Sequence, residues 1–306
     1  MPQVVRRFSS GLPARAMMRG MTLAATLLFA LSACGGPRPG AELLPRSTGV
    51  QAQVADPYAG CESLRGMALM RALSSLVRAR HVVLGYDRAR DVMFATLDDI
   101  GGRDTVVDVY CGRTGKGVRD RVSAFHRGLN AEHTWPQSLG AQAEPARSDL
   151  HHLFPADADT NSQRNRHRLG VPEQVTETLP NYLGDALNSR VGTLADGTVV
   201  FEPRDDHKGD AARAMLYFYV RYGFGARLTD GVKLDNFRGE FATLWRWHFI
   251  DPVSPKEKAR NEAIARLQGN RNPFIDHPEY VQRIGHFLSP GRQLEAGLAF
   301  PGAPQP

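Results

Sequence analysis

Two polar stretches in the middle of the chain, NAEHTWPQS (130–138) and RSDLHHLFPADADTNSQRNRHRLG (147–170), carry most of its reactive side chains. The first stretch sets Glu132 and His133 side by side, and Pro136 follows them closely. Neighbouring side chains on a strand point to opposite faces, so this acid and this imidazole diverge if the segment is extended. No comparable concentration of acids, histidines and arginines occurs elsewhere in the sequence. The two stretches together are therefore the candidate functional region.

The residue types in this region favour one kind of metal chemistry. A zinc site needs three or four His, Cys or carboxylate ligands, and the adjacent His151 and His152 cannot easily reach one metal together. The region also lacks the His-x-x-x-His spacing of zinc proteases and the nucleophile elbow of serine hydrolases. Oxygen ligands suit Mg²⁺ or Ca²⁺, an unligated His can act as a general base, and arginines match phosphate oxygens. The set is suited to metal-assisted phosphodiester hydrolysis.

The N-terminus has the features of an export signal. Residues 1–33 contain four arginines and no acid, and Met21–Ala33 is an uncharged apolar run of signal-peptide length. The run ends in LSAC (31–34), which resembles the lipobox of bacterial lipoproteins and makes Cys34 the candidate lipidation site. Ordinary secretion is the alternative. We predict a lipoprotein-type signal peptide over 1–33 and a protein of the cell envelope, on the outer membrane or the periplasmic face.

The rest of the chain has the composition of a globular protein. It is 42% hydrophobic, and removing the four signal-peptide arginines from the formal net charge of +6 leaves +2. Bulk charge therefore gives weak support for a polyanionic partner, and any basic surface is local. Gly- and Pro-rich segments predict a flexible tether over 34–56 and a disordered tail over 289–306. One catalytic domain over 57–288, acting as a monomer, is expected between them.

Cys61 and Cys111 are the two cysteines left after Cys34. An even pair in an oxidising compartment predicts a Cys61–Cys111 disulfide, and two unpaired buried thiols are the alternative.

Hydrophobic periodicity predicts a domain that is mainly helical. Helices are expected at residues 61–81, 86–100, 210–223, 237–250 and 254–269. TVVDVYC (105–111) is β-branched and predicts a strand, followed by a hairpin or turn at GRTGKG (112–117). GNRNPFIDHPEY (269–280) is expected to be structural, with Phe274 and Tyr280 packed beneath the helices.

Several blocks resemble one known family, in the expected order. AEHTWPQS, SDLHHLFPADADTNSQRNRHRLG, GDAARAMLYFYVRYG and DPVSPKEKARNEAIARLQGNRNPFIDHPEY look like the bacterial endonuclease I family of secreted or periplasmic nonspecific nucleases. The resemblance spans about residues 60–285. It implies an α+β fold, a mainly helical single domain around a ββα-metal (His-Me finger) nuclease core.

The resemblance also implies roles for matching residues. Glu132 and Asn161 would ligate the cation, which is Mg²⁺ with Ca²⁺ or Mn²⁺ as alternatives, and His133 would activate the attacking water. Arg164 would contact phosphate or product. Asn161 could instead cap a helix, and Arg164 could instead hold a loop carboxylate.

The remaining polar residues of the region have less specific expectations. Arg147, Arg166 and Arg168 are candidates for backbone phosphate contacts, against a solvated surface as the alternative. Asp149 is expected to orient a loop or an arginine, and His151 and His152 are expected to pack structurally or to support the ligands, rather than to bind metal.

The expected function is metal-dependent hydrolysis of DNA, RNA or both to 5′-phosphate products. No motif for base-specific recognition is present, so sequence preference should be weak. Two alternatives stay open: a noncatalytic nucleic-acid-binding lipoprotein, for instance in DNA uptake, and a metal phosphodiesterase acting on another envelope polymer.

Overall fold

The structure, a computed structural model, describes residues 56–224 and 233–284. The predicted signal peptide (1–33), lipidation site (Cys34), tether (34–56, apart from Asp56) and tail (289–306) lie outside the described residues. Among the described residues, no helix is long and apolar enough to cross a membrane.

Helices and strands are mixed along the described chain, which confirms the α+β class. The helices are α1 (Gly66–Ala79), α2 (Tyr86–Val92), α3 (Arg121–His126), α4 (Ala158–Arg164), α5 (Lys208–Phe218), α6 (Asp235–Ile250), α7 (Pro255–Gln268), α8 (Pro273–Asp276) and α9 (Tyr280–Ile284). The strands are β1 (Thr105–Val107), β2 (Thr114–Lys116), β3 (Leu129–His133), β4 (Leu153–Asp157), β5 (Arg168–Leu169), β6 (Gln174–Thr178), β7 (Arg190–Thr193) and β8 (Val199–Glu202).

The five long helical segments predicted from periodicity are confirmed, with shifts of up to about five residues at their ends. Two of them are longer than their α-helices, because α2 and α5 continue as π-helical turns over Met93–Leu97 and Tyr219–Gly223. Helix α7 shows why its first and last residues could be predicted from the sequence. The Ser254 side chain accepts from the Glu257 amide, Pro255 is the first helical residue, and Gly269 ends the helix in the left-handed conformation. These are the preferred residues at those three positions, because each satisfies or relieves an unpaired backbone group.

Helix α5 is the centre of the main core. Ten of its eleven residues are buried, and it packs against α6, α8 and the turn before β4. A helix buried on nearly every side needs surrounding elements, and its buried charged residues Lys208 and Arg213 are paired with Glu202 and Glu257. Phe274 and Tyr280 are buried in the same core, which confirms the structural expectation for their segment.

Three small sheets are present in the described chain. β1 and β2 form the expected hairpin, and β3 pairs antiparallel with β4. The third sheet has the order β5-β8-β7-β6 and was not predicted. The strand expected at 105–111 ends at Val107, because the Asp108 carboxylate accepts the amides of Tyr110, Cys111 and Arg113 and folds this segment into a turn.

The predicted Cys61–Cys111 disulfide is wrong for this structure, in which both cysteines are buried and free. The Cys111 Sγ lies in the turn after β1, 3.1 Å from Asp108 Oδ2. Cys61 packs into the main core ahead of α1. A disulfide needs the two sulfur atoms in covalent contact, and here each has different neighbours. Burial and Asp108 raise the pKa of the Cys111 thiol to about 12.

Candidate active site

A cleft of about 480 Å³ lies where the end of β3, the segment after it and α4 meet. β4 leads directly into α4, and α4 packs against both strands. The Asp157 side chain caps α4 by accepting from the Thr160 amide, so the strand ends where the helix begins. The lining residues are Ala131, Glu132, His133, Pro136, Gln137, Ser138, Asn161, Ser162, Asn165 and Arg166.

His133 is the last residue of β3, and both of its ring nitrogens have neighbours. Nε2 lies 3.0 Å from the backbone carbonyl oxygen of Arg147. A carbonyl oxygen can only accept, so Nε2 carries the proton and Nδ1 is the accepting nitrogen. The Gln137 side-chain nitrogen lies 3.4 Å from Nδ1 and is therefore the donor. Since Gln137 lines the cleft, the nitrogen that can accept a proton is on the cleft side.

Aromatic rings hold the His133 imidazole in place. The ring centroids of Tyr86 and His152 each lie 5.4 Å from that of His133. Burial, followed by the nearby His152, lowers the pKa of His133 to about 3. The ring is therefore neutral at neutral pH, which is the state that a general base needs.

Glu132 precedes His133 on β3 and is almost fully buried. The Tyr110 hydroxyl donates to its Oε1 at 2.9 Å, and the Arg164 Nε lies 2.9 Å from the same oxygen. Burial raises the pKa of Glu132, while Arg164 and Tyr110 oppose that rise. No side chain among the described residues donates to Oε2.

Asn161 lies in the middle of α4 and is half-buried. It is not the helix cap, because Asp157 occupies that position. Its Nδ2 donates to the Asn130 Oδ1 at 2.8 Å, which turns the Asn161 Oδ1 away from Asn130. Asn161 Oδ1 and Glu132 Oε2 therefore both lack a side-chain donor among the described residues, and both residues line the same cleft.

These two oxygens fit a hard divalent cation. Across residues 56–224 and 233–284, no group of three or more His, Cys, Asp or Glu could hold a metal ion. A cation in this cleft would have Glu132 and Asn161 as candidate protein donors and would keep water for the rest. Mg²⁺ commonly keeps several waters and binds through one or two protein oxygens, so the donor set suits it.

Arg164 lies beneath the cleft rather than in it. Its side chain is 1% exposed, and the residue is not part of the lining. Its Nη atoms donate to the carbonyl oxygens of Thr134, Asn165 and His167 at 2.8 to 3.0 Å. Phosphate contact by Arg164 stays a prediction, and these contacts favour the alternative in which it holds a carboxylate.

The other three arginines have different surroundings. Arg166 is exposed and lines the cleft, where a phosphate could reach it. Arg147 is exposed with its guanidinium 4.3 Å from the centre of the Tyr86 ring, and its backbone carbonyl contacts the His133 ring. The Arg168 Nε donates to Asn236 on α6 at 3.4 Å, outside the lining.

Asp149 is buried in a hydrogen-bonded network. The Tyr217 and Tyr222 hydroxyls each donate to its Oδ2 at 2.8 Å, and the Gln268 amide donates to Oδ1 at 2.7 Å. These bonds tie the segment before β4 to α5 and α7. Since Arg147 precedes Asp149 by two residues, the network also holds the carbonyl that faces His133.

His151 and His152 lie outside the cleft lining. The His152 Nε2 contacts the Ala146 carbonyl oxygen at 2.7 Å, and its ring packs edge-on against His133. The His151 ring packs against Tyr217, with the ring centroids 4.4 Å apart. Burial lowers the pKa of both residues. These contacts agree with support of the site rather than ligation.

Sequence reasoning missed three residues that touch the candidate site: Tyr86, Tyr110 and Gln137. Gln137 could have been considered, because it lies within the quoted stretch. Tyr86 and Tyr110 lie in segments that show only helix or strand patterns in the sequence, so nothing local marks them.

Comparisons with known proteins agree with this geometry. The sequence profile of the Endonuclease I family matches residues 86–279, which include both strands and the helix of the cleft. The chain is 33% identical over 238 residues to an extracellular ribonuclease of Bacillus amyloliquefaciens, covering 74% of this chain and 77% of the relative. An extracellular ribonuclease of Bacillus subtilis is 32% identical over 240 residues, with the same coverage.

A periplasmic deoxyribonuclease of Aeromonas hydrophila is 29% identical over 140 residues, covering 44% of this chain and 50% of the relative. The profile match and the longer alignments define the class of protein as a nuclease. This chain belongs to the endonuclease I family.

Proposed function

We propose that this chain is an exported, divalent-cation-dependent endonuclease that cleaves nucleic acid without strong sequence preference. The observation that carries the proposal is the meeting of Glu132, His133 and Asn161 in one cleft of the family-matched segment. In this proposal the antiparallel strands β3 and β4 and the helix α4 are the ββα-metal (His-Me finger) unit. The order strand, strand, helix and the placement of all three residues on it support this assignment.

Glu132 and Asn161 would hold the cation through their side-chain oxygens. Mg²⁺ is the proposed ion, with Ca²⁺ or Mn²⁺ as substitutes, because the donors are oxygens. When bound, a divalent cation polarises the phosphoryl oxygens and stabilises charge on the leaving 3′ oxygen. Tyr110 and Arg164 keep the carboxylate in position.

His133 takes a proton from the attacking water at Nδ1. Its Nε2–H stays bonded to the Arg147 carbonyl, which fixes the tautomer and the ring orientation throughout. The Gln137 amide must yield Nδ1 to the water.

The substrate class is polynucleotide. The longest alignments are to proteins named ribonucleases, and shorter ones are to proteins named deoxyribonucleases, so both RNA and DNA are proposed substrates. The cleft presents Arg166 to the backbone, and binding through phosphates is sensitive to salt. Breaking the bond to the 3′ oxygen leaves 5′-phosphate products.

Export rests on the N-terminal sequence and agrees with relatives named extracellular or periplasmic. We propose that Cys34 is lipidated and that the mature protein is a monomer tethered to the cell envelope. Radioactive palmitate labelling tests the anchor. Label should appear in the wild type and be lost in Cys34→Ala, and an unlabelled wild type removes the anchor from the proposal.

Nuclease activity is tested by nicking of supercoiled plasmid and by RNA degradation, with Mg²⁺, Ca²⁺ or EDTA. Wild type should cleave with Mg²⁺ and not with EDTA, and Glu132→Ala should be inactive. Ser162→Ala is the matched control, because Ser162 lines the cleft without a proposed role. Activity in EDTA would overturn the metal dependence. Binding without cleavage by the wild type would instead favour a noncatalytic nucleic-acid-binding protein.

A further inference from the structure

Tyr110 is a buried tyrosine whose hydroxyl group reaches the proposed cation ligand Glu132. We propose that Tyr110 is a positioning residue for the cation site: together with Arg164 it occupies one oxygen of Glu132 and so selects the other as the ligand atom. This inference rests on the proposed function, since it assumes that Glu132 binds the cation.

The contacts at the carboxylate are one-sided. Oε1 accepts from the Tyr110 hydroxyl at 2.9 Å and lies 2.9 Å from the Arg164 Nε. Oε2 receives no side-chain donor from the described part of the chain. A carboxylate with a hydroxyl donor and a guanidinium nitrogen against the same oxygen is restrained in rotation about its last side-chain bond. Oε2, which has no side-chain donor among the described residues, is then available to a ligand approaching from the cleft.

Tyr110 is itself held firmly. The Asp108 carboxylate accepts the Tyr110 amide at 2.8 Å, and the Ser189 hydroxyl donates to the Tyr110 carbonyl at 2.7 Å. Its ring packs edge-on against Phe201, with centroids 4.8 Å apart. Because the Tyr110 ring and backbone are fixed, rotation of the Glu132 carboxylate would break the hydrogen bond from the Tyr110 hydroxyl.

Arg164 is equally fixed, because three backbone carbonyl oxygens accept from its Nη atoms. One of them belongs to Thr134, two residues beyond Glu132, so the guanidinium also holds the chain that carries the ligand. Tyr110 and Arg164 approach the carboxylate from different elements. Removing one of them should loosen Glu132 without unfolding the cleft.

The conservative test is Tyr110→Phe, which removes only the hydroxyl group and keeps the ring in its packing. Groups that orient a metal ligand contribute about 10- to 100-fold to metal affinity. We expect Mn²⁺ to bind Tyr110→Phe about tenfold more weakly than the wild type, measured on the purified chain by the loss of the free Mn²⁺ signal in electron paramagnetic resonance. With saturating Mn²⁺, kcat should recover towards the wild-type value.

Tyr58→Phe is the matched control. Tyr58 is equally buried, and its hydroxyl donates to the Arg271 carbonyl at 2.7 Å, outside the cleft. Its Mn²⁺ affinity should equal that of the wild type. An unchanged affinity in Tyr110→Phe, or an equal loss in both variants, would overturn the inference.

The variant Glu132→Gln distinguishes a failure of the proposed cation site from a failure of the positioning role of Tyr110. If Glu132→Gln binds Mn²⁺ as tightly as the wild type, Glu132 is not a ligand and the proposed cation site fails. If Glu132→Gln loses binding while Tyr110→Phe keeps it, only the positioning role fails.

The positioning role of Tyr110 can also be tested on the wild type, which does not depend on the folding of Tyr110→Phe. Infrared difference spectra on Mn²⁺ addition report how a carboxylate binds, through the separation of its two stretching bands. A wide separation, for one bound oxygen, is expected. A narrow separation, for two bound oxygens, would contradict a carboxylate with Oε1 already occupied.

Discussion

The Nε2 atom of His133 lies 3.0 Å from the backbone carbonyl oxygen of Arg147. This contact links the end of β3 to the segment that leads into β4, and it determines which ring nitrogen can accept a proton. The Arg147 contribution comes from its backbone, so side-chain substitutions of Arg147 leave it in place. The adjacent pair Glu132-His133 thus has one residue oriented by Tyr110 and Arg164 and the other by a carbonyl.

Replacing His133 by Ala should lower kcat by about 10²- to 10⁴-fold, which is the usual contribution of a positioned general base. Substrate binding should persist, because His133 is neutral and carries no phosphate contact. Cleavage rates at saturating substrate, with and without added imidazole, measure the effect. Partial recovery with imidazole is expected, and full activity without it would exclude His133 as the base.

The fold was predictable where local signals were strong. α1 and α7 have clear apolar faces or caps, and their helices follow from sequence alone. The four-stranded sheet was not predictable. β6 is exposed at every residue and so shows no alternation, and the parallel pairing of β5 with β8 joins residues about 30 apart in the chain.

Some residues of the candidate site could likewise be predicted from the sequence, and others could not. Glu132, His133 and Asn161 could be chosen from the sequence, because their residue types and order follow a known pattern, and the structure brings them to one cleft. The burial of Arg164 and the contact of Tyr110 with Glu132 depend on how distant elements pack. Tyr110 lies 22 residues before Glu132, and nothing in its own segment indicates that its hydroxyl turns towards β3.

Arg166 and Arg168 should differ in their effect on substrate binding. Arg166 lines the cleft, whereas the Arg168 guanidinium is engaged with Asn236 on α6. Each phosphate contact that is lost reduces the slope of log affinity against log salt by about 1. Arg166→Gln should show that change and Arg168→Gln should not, in binding titrations with EDTA at several salt concentrations. Equal slopes for the two variants would rule out this distinction.

Folding stability should pass through a maximum at mildly acidic pH. Burial lowers the pKa to about 4 in His151, His207 and His248, below the ordinary 6.5. The unfolded chain then binds more protons than the folded one between these values, so stability falls as pH drops through that window. Burial raises the pKa of Glu240 to about 7 and of Glu257 to about 8, above the ordinary 4.5.

For these two glutamates the folded state binds more protons, so stability falls as pH rises from about 4.5 towards 8. The opposing slopes place the stability maximum at mildly acidic pH, between the two ranges. Urea denaturation from pH 4 to 9, with EDTA present throughout, measures the curve. A stability that rises steadily up to pH 9 would contradict the raised pKa of the two buried glutamates.

The free thiols of Cys61 and Cys111 can be checked on a Cys34→Ala chain, which leaves only these two cysteines. Thiol titration in denaturant should find both of them reduced, and dithiothreitol should not change the Tm. A disulfide closing this loop would contribute about 4 kcal/mol, so its reduction would lower the Tm by an amount that is easily measured. A large drop in Tm with dithiothreitol would show that Cys61 and Cys111 form a disulfide.

Replacing Arg164 by Met should reduce stability more than it changes the salt dependence of substrate binding. Arg164 is buried against Glu132, and removing one partner of a buried ion pair commonly costs about 3 to 5 kcal/mol. Arg166→Met, at an exposed position, should change the free energy of unfolding by less than about 0.5 kcal/mol. Urea denaturation in EDTA gives both values.

The double variant Arg164→Met/Glu132→Gln tests whether the cost comes from the unpaired carboxylate. It should recover part of the stability lost in Arg164→Met, because the buried negative charge is gone. A phosphate-contact role predicts a different result, in which Arg164→Met unfolds like the wild type and its salt slope falls by about 1. The two roles therefore give opposite results in the same pair of measurements.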